Sequence, residues 1–75
     1  MENQGAFPRV LIIDDDDHLL EAYTVLLAAD FQVATAPSGE AGLALLQAED
    51  VTVILLDLRL PGMDGLAVLQ QLQTM

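Results

Sequence analysis

Two short apolar runs, each halted by aspartate, constrain this chain more than any other feature. Val10-Leu11-Ile12-Ile13 runs into Asp14-Asp15-Asp16-Asp17, and Val51-Thr52-Val53-Ile54-Leu55-Leu56 runs into Asp57. Neither run is long enough for a buried helix, and both are rich in β-branched residues. Each therefore reads as a strand covered on both faces, as parallel strands are. Between them, Leu19, Leu20, Tyr23, Leu26 and Leu27 fall at helical spacing and predict an amphipathic helix over 19–29, its acidic first turn suited to the helix dipole. Residues 31–36 alternate in part and predict a second, less buried strand. Ser38 can cap a helix over 39–47 that buries Ala41, Leu43, Leu45 and Leu46, with Gly42 weakening it by ~1 kcal/mol relative to alanine. After a turn at Pro61-Gly62, Asp64 can cap a third helix beginning at Gly65.

Strand and helix alternate three times, the pattern of an α/β fold with parallel strands joined by right-handed crossovers. With 75 residues the chain holds one domain at most, and at 53% apolar it has the means to bury a core. Residues 1–8 read as a flexible leader and 9–75 as the domain. Twelve acidic residues against two arginines leave a net charge of −10, which argues against a nucleic-acid or anionic-membrane surface. There is no cysteine for a disulfide or thiolate site, no secretory signal pattern at the start, and no apolar stretch long enough to span a bilayer. A cytoplasmic protein is expected.

Open α/β sheets place their functional crevice beyond the carboxyl ends of the strands, and those ends here carry Asp14, Asp15 and Asp57. If the first and third strands are neighbours, three like charges converge. Taking up a proton or a cation relieves the repulsion, and hard carboxylate oxygens suit Mg2+ or Mn2+. A carboxylate in such a setting is also a competent phosphoryl acceptor.

VLIIDDDDHLL at 10–20, APSGEAGLALL at 36–46 and VILLDLRLPGMDGLAVL at 53–69 resemble the receiver domain of two-component response regulators. That resemblance implies a flavodoxin-like receiver fold truncated after its third helix, with strand order 2-1-3. It implies Asp57 as phospho-acceptor, Mg2+ (or Mn2+) held by Asp14, Asp15, Asp57 and the backbone carbonyl of Arg59, and Pro61-Gly62 as the turn beside the acceptor. A histidine kinase or phosphotransfer protein would be the phosphoryl donor, and the domain is not an enzyme. Receivers of this kind also use a Ser or Thr after a fourth strand and a Lys after a fifth; these residues include neither strand, and no lysine at all. The expectation is a metal-and-acceptor half-site.

Other readings are weaker. His18 and Leu19 stand where an EF-hand loop needs an oxygen ligand and a glycine, and Arg59 stands where a haloacid-dehalogenase-type phosphohydrolase needs its second Asp. A lone His18 reads as surface, and Gly39 and Gly42 lack phosphate-loop spacing. The competing function is a non-signalling interaction or structural fragment that at most binds a divalent cation. Because the third strand would lie at an apolar edge, self-association through it is expected.

Overall fold

The structure, a computed structural model, describes residues 7–60 and 64–74. Strand β1 (Arg9–Ile13) leads into helix α1 (Asp17–Leu27), followed by β2 (Gln32–Ala36), α2 (Gly39–Ala48), β3 (Val53–Leu56) and α3 (Gly65–Gln73). The strands form one parallel sheet in the order β2-β1-β3, so the α/β class and the strand order are as expected. Val10 pairs with Val33 on one side and Val53 on the other, and Ile13 with Ala36 and Leu56. Pro61-Gly62 lies outside the described residues. Of the leader, Phe7 and Pro8 are described and exposed, and the Pro8 carbonyl accepts the Gln32 N–H at 2.9 Å.

Because β1 is the central strand, its alternating side chains fill two separate cores. Leu11 and Ile13 point to one face, where they are buried with Ala36, Leu60 and Val68 beneath apolar residues of α2 and α3. Val10 and Ile12 point to the other, against Leu20 of α1, with Leu27, Phe31 and Val33 around them. Four consecutive buried apolar residues in β1 are thus the signature of a strand with a helix layer on each side.

The third strand does not share that burial. Its exposure alternates, and Val53 and Leu55 are each 39% exposed on the side where α1 sits. This corrects the expectation of a strand covered on both faces. The cause is the position of α1, which packs over β1 and β2 and leaves β3 without a covering element on that side among the described residues. The same placement explains the helix. Of the five apolar positions assigned to its buried stripe, Leu20 is buried and Leu27 half-buried, while Leu19, Tyr23 and Leu26 are exposed. β3 is also shorter than its apolar run: Thr52 already bonds its N–H to the Arg9 carbonyl at 2.9 Å, yet regular pairing begins at Val53.

Helix ends follow their caps. α1 starts two residues before the expected position because the Asp16 carboxylate accepts the N–H groups of His18 at 2.9 Å and Leu19 at 3.3 Å. Ser38 and Asp64 cap α2 and α3 as expected, accepting from Ala41 and Ala67. Gly42 proves to be a packing residue as well as a weak helix former. A Cβ there would crowd the Ile13 side chain, lying 2.8 Å from its Cγ1, so the missing side chain lets α2 settle onto the sheet.

Candidate functional site

Two strand ends build the site. At the end of β1, the Asp14 N–H bonds to the Ala36 carbonyl at 3.1 Å, carrying the ladder one residue past the strand. The Asp14 carboxylate then accepts the Asp16 N–H at 2.9 Å, a local turn of the kind aspartate favours. This turn passes directly into the cap of α1, so one run of four aspartates serves two ends: its first two members face the crevice, and the third opens a helix. At the end of β3, the Asp57 N–H bonds to the Ile13 carbonyl at 2.9 Å, and the Asp57 carboxylate accepts the Arg59 N–H at 2.9 Å. The adjacent strand ends are thereby tied to each other through β1.

The result is convergence. One carboxylate oxygen from each of Asp14, Asp15 and Asp57 lies within 4.8 Å of the others. Asp14 and Asp57 are half-buried and Asp15 is exposed. An open hollow of about 390 Å³ adjoins them, bounded by Asp14, Asp57 and Arg59 at one end and by Leu19, Tyr23 and Leu55 along its apolar wall. Three hard-oxygen donors at this spacing, open to water on one side, fit a small divalent cation that keeps part of its hydration shell. Arg59 lies beside the cluster through its backbone as well as along the hollow's wall. Arg9 is at the far end of the sheet, held by Glu49 and by Gln32, and offers the acids nothing.

Two residues with a part in the site escaped the sequence reading. Asp16 was legible in principle, being an aspartate directly before an apolar-periodic segment, the usual signature of a helix cap. Gly65 was not. A Cβ on it would lie 2.8 Å from the Asp57 carbonyl oxygen and would collide with the Leu58 backbone, so its bareness sets how closely α3 approaches the acceptor loop. Asp64 is a cap and stands outside the acidic cluster.

Comparison with known proteins agrees with this geometry. Residues 10–75 match the family described as response regulator receiver domain. The chain is 42% identical over 67 residues to the transcriptional regulatory protein AfsQ1 of Streptomyces coelicolor, covering 88% of this chain and 30% of that protein. It is 41% identical over 66 residues to the cell cycle response regulator CtrA of Brucella ovis, covering 87% and 28%. Among solved structures, the chemotaxis protein CheY4 of Vibrio cholerae superposes with a TM-score of 0.87 at 28% identity, over 92% of this chain and 58% of that one. A CheY-like receiver domain from Methanospirillum hungatei gives 0.84 at 35% identity, over 89% and 54%. The chain therefore spans less than a third of the curated relatives' length and little more than half of these solved chains.

Proposed function

This chain belongs to the response regulator receiver domain family, and from that premise we propose that Asp57 is the phosphoryl acceptor of a two-component relay. The chain is a receiver domain rather than an enzyme, and its acidic triad is of the kind that serves a Mg2+ site. The observation that carries the reading is the meeting of Asp14, Asp15 and Asp57 within 4.8 Å at the carboxyl ends of two neighbouring parallel strands.

Asp14, Asp15, Asp57 and the Arg59 backbone carbonyl would hold Mg2+ or Mn2+. When bound, the ion would neutralise charge gathering on the phosphoryl oxygens. Asp57 is positioned by its own backbone bond to Ile13 and by the Arg59 N–H on one carboxylate oxygen, which leaves the carboxylate with lone pairs for an electrophile. In the transfer, an Asp57 oxygen attacks phosphorus, the P–O bond forms as the P–N bond of a phosphohistidine breaks, and the electron pair returns to the imidazole nitrogen. A histidine kinase or phosphotransfer protein supplies that phosphohistidine, and the cytoplasm is the compartment in which the exchange takes place. Among the described residues no helix is long and apolar enough to cross a membrane. With a net charge of −10, this segment is not a nucleic-acid reader. A second partner, another copy of the chain, would use a different surface, the free edge of β3.

Titration with Mg2+ followed by NMR tests the site directly. The amides of Asp14, Asp15, Asp57 and Arg59 should shift together and saturably, and Asp15→Asn or Asp57→Asn should weaken the response by about tenfold or more. Unchanged binding in both variants would overturn the assignment.

A further inference from the structure

β1 lies at the centre of the sheet, so both β2 and β3 have one edge without a strand partner among the described residues. The two edges are chemically unlike. β2 reads Gln32-Val33-Ala34-Thr35-Ala36, small and polar, the composition by which natural sheets blunt an edge. β3 reads Val53-Ile54-Leu55-Leu56, four large apolar residues with no charge and no proline. The apolar surface does not stop at the strand. Val53 and Leu55 are each 39% exposed, and beside them on α1 lie Leu19 at 43% and Tyr23 at 36% exposure, so edge and helix flank form one continuous apolar strip.

We propose that this strip is an interface between two copies of the chain, with the β3 strands pairing antiparallel across a two-fold axis normal to the sheet. The inference is independent of phosphoryl transfer. An edge strand is self-complementary, since a two-fold axis presents the same row of N–H and C=O groups to itself. An axis normal to the sheet also keeps the two α1 layers on one side, so Val53, Leu55, Leu19 and Tyr23 of each copy continue into those of the other. Charge decides the direction. All the strand-end acids lie at one end of the sheet, and parallel pairing would set two Asp14/Asp15/Asp57 clusters side by side. Antiparallel pairing places them at opposite ends of the junction. The four residues of β3 at ~3.3 Å each hold them roughly 13 Å apart, beyond the ~8 Å over which physiological salt leaves exposed charges in contact.

Sedimentation equilibrium of the full chain over a dilution series, with far-UV circular dichroism on the same samples, tests this. A single monomer–dimer equilibrium is expected, with helical and strand signal falling as the dimer dissociates. Leu55→Lys, which sets a charge on the exposed side of the edge, should raise the dissociation constant at least about tenfold. Val25→Lys, on the solvent side of α1 at 79% exposure, should leave it unchanged. The chain has no cysteine, so a lone thiol reports geometry cleanly. Leu55→Cys, near the middle of β3, should oxidise to a covalent dimer, and Val25→Cys should not. A folded monomer at every concentration would overturn the proposal, as would open-ended aggregates without a dimer plateau, or equal crosslinking from both cysteine positions.

Discussion

At the scale of single residues, the site depends on side chains that never face a ligand. Asp16 accepts two N–H groups at the start of α1 and donates its own N–H to Asp14. Asp16→Ala should therefore cost about 1 kcal/mol of stability through the lost cap. The Asp14 turn uses the backbone of residue 16 rather than its side chain, so Mg2+ binding should fall much less than in Asp15→Asn. Urea denaturation alongside cation titration separates the two effects. Gly65 acts through contact. A methyl group there meets the backbone of Asp57 and Leu58, which has little room to give, so Gly65→Ala should destabilise by about 1–3 kcal/mol. It should also shift the Asp57 and Arg59 amides in the absence of any cation, which a purely local helix effect would not do.

At the scale of elements, the fit of α2 on the sheet reverses a propensity argument. Alanine in place of Gly42 favours an isolated helix by ~1 kcal/mol. In the folded protein that methyl group presses on Ile13, a fully buried residue of the central strand. Gly42→Ala should thus lower the denaturation midpoint instead of raising it. Removing the crowded methyl by combining it with Ile13→Val should recover part of the loss, giving a non-additive double-mutant cycle. Additive losses would show that the two side chains do not meet. The helices differ likewise in what they cover: α2 and α3 shield the Leu11 and Ile13 face along the sheet to Ile54 and Leu56, whereas α1 shields only the β1–β2 half of the other face.

At the scale of the whole molecule, charge governs reactivity. The chain carries −10 with two arginines, and Arg9 is engaged with Glu49 and Gln32 at the end of the sheet remote from the acids. An incoming phosphoryl dianion finds Arg59 alone on its side of the sheet. In comparable sites a missing charge-assisted contact to the transferring group costs roughly 3–4 kcal/mol of transition-state stabilisation. Acetyl phosphate with Mg2+ should therefore phosphorylate this 75-residue chain slowly and incompletely. Rapid stoichiometric modification of Asp57, read by intact mass, would contradict this account of the charge balance.

What the sequence determined by itself was the set of elements and the chemistry at their ends. Apolar runs stopped by Asp14 and Asp57, helical spacing between them, and capping residues at Ser38 and Asp64 are local signals, because strand and helix periodicity and cap hydrogen bonds involve residues close along the chain. The adjacency of the first and third strands, without which Asp57 does not meet Asp14 and Asp15, came from resemblance to a family and is realised in the ladder between β1 and β3. Coverage was decided by tertiary structure alone. The runs in β1 and β3 look equally apolar, yet β1 is buried on both faces and β3 is open on one. Whether an apolar side chain meets protein or water depends on which helix lies over it, and that is set by elements distant in sequence. For the same reason Gly42 and Gly65 read as weak points in helices, and only the approach of Ile13 and of the Asp57–Leu58 backbone reveals them as places where side chains had to be absent.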